Sequence, residues 1–484
     1  MPSSNSSFSG EGILQGPRDL IVKSVDPVIR MIGEKNVVLE IKPEKYNTST
    51  NDPPAFKRTS TTYYLFLTTV SSIGTSMNGV LAMILAGGEG KRLRPLTSVR
   101  TKPAVPFGGN YRIIDFALSN FVNSGFLKIF VLTQFKSHSL MQHLREGWRL
   151  SGLRGHFIDP IPAQMRMGKR WYEGTADAIY QNMNLIKDTD PEHVCIFGGD
   201  HIYRMDISQM LRFHKKREAN LTVAAIPVPV SEARHFGIIE VDENWCMTGF
   251  VEKPQSSPRT MPGQPDMVLA SMGNYIFNRH LLEDMLQQDS QDGQSVHDFG
   301  RDVIPKMYPG VKVYVYDFSQ NHIPDAQPKE AGYWRDVGTI RSYWEANMDL
   351  VGIEPQFNLY YQQWPVLTYN PPFPPAKFVH FSDLRTGHAI NSMISPGTII
   401  SGAMVEKSVV GYNTSVHSFS HVNESVVMNN VVIGRGCKLH RVIIDKHVVI
   451  QPGTVIGHDP EEDANHFETT EDGIVVIPKG AEIG

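Results

Sequence analysis

A glycine-rich segment with basic side chains stands near the start of the regular part of the sequence. Leu85 to Leu93 reads Leu-Ala-Gly-Gly-Glu-Gly-Lys-Arg-Leu, and Lys102 follows soon after. Glycines directly after a strand let backbone N–H groups approach phosphate oxygens closely, and Lys91, Arg92 and Lys102 add positive charge. The segment therefore predicts a site for a polyphosphate, and a triphosphate fits the description.

Two familiar phosphate-binding motifs do not fit this segment. The spacing GxxxxGK[ST] requires Ser or Thr after the lysine, whereas Arg92 follows Lys91. The dinucleotide fingerprint GxGxxG requires a third glycine at the position that Leu93 occupies. A tight turn with exposed basic residues remains the alternative for the segment taken alone.

Two acidic residues form the second candidate group. Asp200 ends an apolar run that begins at Cys195, where side chains of an open α/β sheet converge on a ligand. Asp336 is a second acid, within Trp334 to Gly338. Hard carboxylate oxygens beside a phosphate favour Mg²⁺ over zinc. A helix cap is the alternative role for a lone Asp after a strand.

Glu252-Lys253-Pro254 follows another predicted strand. The ammonium of Lys253 suits a phosphate monoester, and a surface salt bridge before a proline turn is the alternative. The sequence contains no recognisable nucleophile elbow with a Ser, His and Asp grouping, and Cys195 fits a strand core. We therefore expect the reaction at phosphorus to be a single in-line displacement, without a covalent enzyme intermediate.

Short apolar runs alternate with helical stretches from Val80 to about Leu350, which predicts βαβ units and a mainly parallel sheet covered on both faces. We expect a first domain over 79–350. The predicted strands are Val80–Ala86, Ile129–Thr133, Val194–Phe197 and Leu221–Val228, and a helix is predicted over Ile113–Ser124.

Apolar residues recur about every six positions in the last part of the chain, with glycines at the turns between them. Such a period predicts a parallel β-helix over 386–484, in which aliphatic side chains stack inward from coil to coil. The stack is predicted to contain Ile394, Ile400, Val410, Val416, Val422, Met428, Ile433, Leu439, Ile444, Ile450 and Ile456. An antiparallel sheet of short strands is the alternative. A linker over 351–385 contains the proline-rich stretch Trp364–Phe378.

Residues 1–78 are rich in Ser, Thr, Asn and Pro and predict a poorly ordered extension. One hypothesis is that translation starts at Met77. The best apolar stretch, Tyr63–Ile73, has about half of the roughly 20 residues that a membrane span requires. We therefore expect no membrane association.

Composition excludes several classes of protein. The formal net charge of -4 comes without any block of Lys and Arg, so a nucleic-acid partner is not expected. The three cysteines, Cys195, Cys246 and Cys437, lie far apart and without a CxxC pair, which favours a reducing compartment and a cytoplasmic location.

Many short motifs in a fixed order resemble one enzyme family. The segments LAGGEGKRLRPLT and KPAVPFGG are similar to the signature of the sugar-nucleotide pyrophosphorylases. The segments RIIDFALSN, TQF, WYEGTADA, GDHIY, FVEKP, ASMGNYIF, HDFG and YWRDVGT resemble the bacterial ADP-glucose pyrophosphorylase branch. The resemblance runs from about Val80 to Gly484. It implies a Rossmann-like, mostly parallel nucleotidyltransferase domain followed by a left-handed parallel β-helix of hexapeptide repeats.

The resemblance also implies a reaction between ATP and glucose 1-phosphate, with Mg²⁺ held by Asp200 and Asp336. The implied catalytic residues are Arg92, Lys102, Asp200, Lys253 and Asp336. The nucleotide is expected at Leu85, Ala86, Gly87, Gly88, Gly90, Lys91, Gln134, Tyr172, Gly174 and Asp177. Glucose 1-phosphate is expected at Tyr172, Gly237, Glu252, Lys253, Ser271, Tyr275, Asp298 and Phe299.

Relatives respond to phosphate metabolites bound between the two domains, and Arg100, Lys102 and Arg112 match that region. Trp171 and Gln134 are implied to relay activation. Val99 departs from enteric relatives, which carry a Lys that contacts a sugar bisphosphate, so weak or different activation by fructose 1,6-bisphosphate is expected. A homo-oligomer, by resemblance a tetramer, is also expected because the repeat coil leaves open ends and flat faces.

Two rival functions remain at this point. A sister enzyme that uses UTP, dTTP or GTP would share the glycine-rich loop. A non-catalytic regulatory subunit would bind nucleotide without turnover, but such subunits typically lose the metal acids or the basic loop residues. Arg92, Lys102, Asp200, Lys253 and Asp336 are all present, which favours catalysis.

Overall fold

The computed structural model divides the chain into two compact units, Met1–Ser72 and Ile73–Gly484. It describes residues 28–31, 37–40 and 79–484, apart from 151, 153–154, 165, 167, 169, 257, 325 and 383–384. In the first unit, β1 (Val28–Met31) pairs with β2 (Val37–Glu40) in antiparallel fashion. The predictions for 1–78, including Tyr63–Ile73 and Met77, otherwise lie outside the described residues.

The first part of the larger unit alternates strands and helices. Its strands are β3 (Val80–Leu85), β4 (Pro106–Phe107), β5 (Tyr111–Arg112), β6 (Lys128–Thr133), β7 (Phe157–Pro162), β8 (His193–Gly198), β9 (His201–Tyr203), β10 (Leu221–Pro229), β11 (Gly237–Val241), β12 (Met247–Glu252), β13 (Met267–Asn278), β14 (Val313–Asp317) and β15 (Trp334–Asp336). Its helices are α1 (Ile113–Asn123), α2 (His138–Gly147), α3 (Thr175–Tyr180), α4 (Met183–Thr189), α5 (Ile207–Lys216), α6 (Arg279–Asp289), α7 (Ile304–Met307) and α8 (Ile340–Leu350).

The main sheet has the order β12-β11-β13-β8-β3-β6-β7, with β10 between β13 and β14. Around β3 the pairing is parallel, with β6 and β8 as neighbours, whereas β13 runs antiparallel to β8, β10 and β11. Alternate side chains of β3 enter two different apolar clusters: Ala82 and Ile84 one, Leu81 and Met83 the other. The predicted α/β sheet with both faces covered is confirmed.

A short ribbon beside the main sheet brings two distant segments together. Strand β9 directly follows the turn after β8, and it pairs antiparallel with β15 so that Asp336 lies opposite His201. Asp200 precedes His201 in the chain. The ribbon therefore sets Asp200 and Asp336 side by side, although they are far apart in sequence.

The proline-rich linker lies against α1. The Leu367 amide donates to Ser119 Oγ at 2.8 Å, and Thr368 Oγ1 donates to Asp115 Oδ2 at 2.6 Å. Asn123 Nδ2 donates to the Pro365 carbonyl at 2.9 Å. The linker is thus bonded to the first domain along a helix rather than free.

The last part of the chain is a left-handed parallel β-helix, as predicted. Its first sheet has the order β16-β21-β24-β27-β30-β34, its second β19-β22-β25-β28-β31, and its third β20-β23-β26-β29-β33-β32. The strands, with a hairpin of β17 and β18, are β16 (Lys377–Val379), β17 (Phe381–Ser382), β18 (Arg385–Thr386), β19 (His388–Ile390), β20 (Met393–Ile394), β21 (Ile399–Ser401), β22 (Met404–Glu406), β23 (Val409–Val410), β24 (Ser415–Val416), β25 (His421–Asn423), β26 (Val426–Val427), β27 (Val432–Ile433), β28 (Lys438–His440), β29 (Val442–Ile444), β30 (Val449–Ile450), β31 (Val455–Ile456), β32 (Glu468–Thr469), β33 (Val475–Ile477) and β34 (Glu482–Ile483). Helix α9 (Pro460–His466) interrupts the last coil.

The inward stack departs from the prediction at one position. Val410 pairs with Val427 and Val427 pairs with Ile444, so one coil takes 17 residues rather than three full repeats of six. Val427 therefore occupies the stack, and the assignment of Met428 to it was wrong. Met428 instead joins an apolar cluster with Phe107 and other residues of the first domain.

None of the helices in the described part of the chain combines the length and the hydrophobicity that a membrane-spanning helix requires.

Candidate active site

Threonine side chains fix the glycine-rich loop from behind. Thr101 Oγ1 lies 3.0 Å from the Ala86 carbonyl and 3.1 Å from that of Gly88, and Thr97 Oγ1 donates to the Gly90 carbonyl at 2.8 Å. Gly90 has φ 64°, a left-handed conformation that favours glycine. The loop is therefore held in a defined shape at the carboxyl end of β3.

Lys102 lies between the two predicted metal acids. Its Nζ is 3.0 Å from Asp200 Oδ2 and 2.6 Å from Asp336 Oδ1. Arg92 approaches the other oxygen of Asp336, Oδ2, at 3.5 Å. The structure thus brings four of the five predicted catalytic residues into one cluster of two acids and two cations.

Charge pairing, not burial, sets the protonation of this cluster. Burial alone raises the pKa of a carboxyl group, yet the Lys102 ammonium holds the pKa values of both Asp200 and Asp336 below their ordinary range. Burial likewise opposes the charged form of Lys102, but Asp200 and Asp336 raise the pKa of its ammonium. Both carboxylates are ionised at neutral pH and can serve as oxygen ligands to a cation.

His201 is a neighbour of these acids that sequence reasoning did not single out. Ligand atoms of Asp200, His201 and Asp336 all lie within 4.8 Å of one another. The imidazole packs on the Trp334 ring with centroids 4.9 Å apart. Its position directly after Asp200 was a signal that could have found it.

An open cleft of about 760 Å³ joins the loop, the acids and the sheet edge. The predicted site residues that line it are Leu85, Gly87, Gly88, Gly90, Lys91, Arg92, Lys102, Gln134, Tyr172, Gly174, Asp200, Gly237, Glu252, Lys253, Ser271, Tyr275, Asp298 and Asp336. Lining residues that were not predicted include His201, His235, Phe236, Phe250, Gly273 and Trp334. Phe236, Phe250, Gly273 and Trp334 carry no charge, so a motif of charged residues does not reveal them.

Three predicted residues lie behind the cleft wall rather than on it. Ala86 is buried and bonds through its backbone to Leu132. Asp177 is buried and accepts hydrogen bonds from the Glu173 amide and from Gln181. Phe299 is buried in an apolar cluster. These three side chains are therefore not placed to contact a ligand directly. Asp177 instead holds the segment next to Tyr172 through its hydrogen bond with the Glu173 amide.

The segment around Tyr172 is bonded to Gln134 through both of its backbone groups. The Tyr172 amide donates to Gln134 Oε1 at 2.7 Å, and Gln134 Nε2 donates to the Tyr172 carbonyl at 3.3 Å. A side chain on Gly174 would collide with the carbonyl oxygens of Val296 and His297. Gln134 and Gly174 therefore shape one wall of the cleft, and neighbouring Trp171 is more than half exposed.

The opposite wall carries Lys253 and Glu252, which form an ion pair at 3.0 Å. Gly237 lies opposite Glu252 in the β11–β12 pair, where an added Cβ would be only 2.7 Å from Glu252 Oε2. Asp298 accepts from Thr175 Oγ1 at 3.0 Å and from the Gly300 amide at 3.0 Å. Burial raises the pKa of Tyr275, so its hydroxyl stays a neutral hydrogen-bonding group. This wall offers the largely exposed ammonium of Lys253, paired with Glu252, beside several uncharged and acidic polar groups.

A second pocket, of about 350 Å³, lies where the first domain meets the β-helix. Among the residues that the structure describes, its basic lining residues are Arg112, His138, His143, Lys446, His447 and Lys479, and its one lining acid is Glu146. Burial lowers the pKa of Lys446 well below its ordinary value, and Arg112 and Arg100 lower it further. Arg100 itself does not line this pocket, because its buried guanidinium binds both oxygens of Asp445 at 2.9 Å.

Comparison with known proteins agrees with this geometry. The family profile of nucleotidyl transferases matches residues 81–352, and a GlmU-like, C-terminal hexapeptide profile matches residues 374–477. The chain is 58% identical over 408 residues to the glucose-1-phosphate adenylyltransferase of Photobacterium profundum, covering 84% of this chain and 100% of the relative. Enzymes of the same name from Aliivibrio fischeri (58% over 410 residues) and Anaeromyxobacter sp. (53% over 409) are likewise covered in full and match 84% of this chain.

The matches cover the entire length of each of these relatives. The family resemblance seen in the sequence motifs is confirmed, and the chain belongs to the glucose-1-phosphate adenylyltransferase family of nucleotidyl transferases.

Proposed function

We propose that this chain transfers the adenylyl group of ATP to α-D-glucose 1-phosphate, giving ADP-glucose and pyrophosphate for α-glucan (glycogen) synthesis. The observation that carries the proposal is the cluster of Asp200, Asp336, Lys102 and Arg92 beside the glycine loop at one end of the cleft. Two negatively charged phosphate groups must approach each other in this reaction. The two acids of the cluster can hold a metal ion, and its two basic side chains can neutralise phosphate charge.

The residues support a single in-line displacement. The glycine loop with Lys91 and Arg92 holds the triphosphate, and Lys253 on the opposite wall holds the sugar phosphate so that its oxygen faces the α-phosphorus. Positioning and charge neutralisation supply the catalysis. Asp200 and Asp336 would hold Mg²⁺, which when bound neutralises charge shared by the reacting phosphates.

The two walls suit different parts of the substrates. Glu252, Ser271, Tyr275 and Asp298 offer hydrogen-bonding groups for sugar hydroxyls around Lys253, with Gly237 leaving room. The wall formed by Tyr172, Gly174 and Gln134 is the nucleotide side. Phe299 and Asp177 contribute by supporting these walls from behind.

The second pocket is proposed as the site for allosteric phosphate metabolites. Among its described lining residues, basic side chains outnumber acids. Lys446 is buried, and the carboxylate of the adjacent Asp445 is already bound by Arg100. Arg112 contributes a guanidinium to the lining, whereas Arg100 acts through Asp445. An anion would relieve the repulsion among these cations.

A homotetramer in the cytoplasm completes the proposal. The three cysteines are unpaired thiols, which suits a reducing compartment. Exposed aliphatic residues on the first sheet of the β-helix, Ile399, Val432 and Val449, suit burial against another copy of the chain.

The rival functions make different predictions in one experiment. Pyrophosphate release is measured with glucose 1-phosphate and ATP, UTP, dTTP or GTP in turn, each with and without Mg²⁺. We expect release with ATP that depends on Mg²⁺. A faster reaction with another nucleotide would favour a sister enzyme, and no release with any nucleotide would favour a regulatory subunit.

A further inference from the structure

Lys102 differs from the other Lys and Arg side chains that line the cleft in the described part of the chain. Its side chain is 7% exposed, whereas those of Lys91, Arg92 and Lys253 are 74%, 69% and 61% exposed. Lys102 also contacts two carboxylates, each through a close ion pair. Lys102 is therefore a buried counter-ion to the proposed metal ligands, whereas the other three cations are exposed to the open cleft.

The ammonium occupies the place that a shared cation would need. One Lys102 nitrogen lies within 3.0 Å of an oxygen of Asp200 and of Asp336. A Mg²⁺ ion takes carboxylate oxygens at about 2.0–2.1 Å, so an ion bound by both acids would fall within the same gap. The ammonium and the metal ion cannot both be there.

We propose that Lys102 is exchanged for the metal: its ammonium pairs with both Asp200 and Asp336 in the free protein, and an incoming divalent cation displaces it toward the glycine loop. This inference rests on the metal site proposed above, and it assigns Lys102 two successive partners. In the free protein it holds the two acids together, and after metal binding it faces the phosphates.

The backbone around Lys102 is fixed, so the exchange is confined to the side chain. Thr101 bonds to the loop carbonyls, Arg100 binds Asp445 of the β-helix, and the Val105 amide donates to the Lys102 carbonyl at 3.0 Å. The side chain leaves the backbone next to the glycine loop, since a Cβ built on Gly90 would be 3.1 Å from that of Lys102. Rotation of the flexible stem brings the ammonium to the loop.

The exchange also changes the charge of the site at the right moment. Asp200 and Asp336 balance Lys102 and Arg92, so these four side chains together are neutral. A divalent cation makes the same group dipositive and leaves two protein cations free. The site thereby becomes complementary to a polyphosphate only when the metal is present.

Titration of the full-length protein with Mn²⁺, followed by the electron paramagnetic resonance signal of the free ion, tests the exchange without nucleotide. Lys102→Met removes the competing cation, so we expect this variant to bind Mn²⁺ roughly tenfold or more tightly than the unaltered protein. Lys91→Met is the matched control, because it removes a loop ammonium that touches neither acid. An equal or weaker Mn²⁺ affinity for Lys102→Met would overturn the exchange.

The double variant with Lys102→Met and Asp336→Asn separates this proposal from the proposed metal site. If the tight Mn²⁺ binding of Lys102→Met survives Asp336→Asn, the ion is held elsewhere and the metal site itself is wrong. If Asp336→Asn abolishes binding but Lys102→Met has the affinity of the Lys91→Met control, the site stands and the exchange is wrong.

A measurement on the unaltered protein covers the case in which Lys102→Met does not fold. Brief acetylation with acetic anhydride, read by peptide mass spectrometry, reports the accessibility of each lysine nitrogen. We expect Lys102 to react much more slowly than Lys91 without metal, and severalfold faster once Mn²⁺ is added. An unchanged rate at Lys102 under saturating Mn²⁺ contradicts the exchange.

Discussion

The cleft and the second pocket are both lined by basic side chains, but they differ in how many carboxylates lie beside those basic groups. In the cleft, Lys102 contacts two carboxylates that lie within reach of one ion. In the second pocket, Arg112, Lys446 and Lys479 face Glu146 as the one acid among the described lining residues. A cluster that contains its own carboxylates is suited to a metal ion, whereas a cluster short of them is suited to an anion. We therefore propose that the same residue types serve catalysis in one region and regulation in the other.

Asp336→Asn removes the acid that defines the first region, and it should have the largest effect. We expect turnover to fall roughly a thousandfold or more, because a proposed metal ligand and a partner of Lys102 are lost together. Pyrophosphate release at saturating substrates measures this. Asp190→Asn is the control, since Asp190 pairs with Arg279 at the surface. A variant with unchanged melting and more than a tenth of the original turnover would refute the role.

Asp445→Ala removes the acid of the buried ion pair between Arg100 and Asp445, which joins the first domain to the β-helix. Arg100 and Asp445 are almost fully buried, at 2% and 0% exposure, so the variant leaves an unpaired buried guanidinium. We expect a loss of about 3–5 kcal/mol in the free energy of unfolding, measured by urea titration. Arg341→Ala breaks the exposed pair with Glu345 and should cost under about 1 kcal/mol. Equal losses in the two variants would contradict the larger contribution to the free energy of unfolding that we expect from the buried pair.

Lys446→Met removes the buried ammonium of the second pocket. We expect binding of inorganic phosphate to weaken by about tenfold, because a charge-assisted contact is lost. Isothermal titration measures the affinity, and Lys438→Met is the control because Lys438 is exposed on β28 and does not line the pocket. Undiminished phosphate binding by Lys446→Met would place the anion site elsewhere.

The same residue should make stability depend on pH. Burial lowers the pKa of Lys446 in the folded protein, so the unfolded chain binds more protons between that lowered pKa and the ordinary value of 10.5. Stability should therefore rise with pH across that window. The difference in free energy of unfolding between the unaltered protein and Lys446→Met isolates this contribution. A difference that stays constant, or falls, as pH increases would contradict the assigned environment.

Val99→Lys should give the smallest change. Val99 is half exposed and does not line the second pocket, although it adjoins Arg100. An added ammonium there should lower the concentration of fructose 1,6-bisphosphate needed for half activation by roughly threefold, a long-range charge effect. Titrations with fructose 6-phosphate and pyruvate serve as comparisons. Strong, selective activation of the unaltered protein by the bisphosphate would show that no lysine is needed at this position.

Local patterns predicted the sheet and the coil well. The apolar runs starting at Val80 and Leu221 became β3 and β10, and the six-residue period became the β-helix. Met428 was misassigned because neighbouring coils are offset by 16 or 17 residues in this part of the β-helix rather than by three full repeats of six, and a shortened side cannot be located without the pairing of neighbouring coils. Long-range register, not propensity, decides which of two adjacent apolar residues points inward.

The charged members of the site were predictable because chemistry restricts their types. The position of Asp200 after an apolar run and the family motif around Asp336 indicate these two acids, and the β9–β15 ribbon brings them together. Packing decided the rest: Phe299 and Asp177 lie behind the wall, and His201 and Trp334 lie on it. The close contact of Lys102 with both acids could not be read from the sequence, since it depends on a fold contact between distant segments.

Crystals grown with Mn²⁺, glucose 1-phosphate and a non-hydrolysable ATP analogue would show whether Asp200 and Asp336 hold the metal in place of Lys102. We expect an anomalous-scattering peak bonded to one oxygen each of Asp200 and Asp336, beside the phosphates at the glycine loop, with the Lys102 ammonium moved onto a phosphate. A peak away from these two carboxylates, with Lys102 still between them, would rule out both the metal site and the exchange.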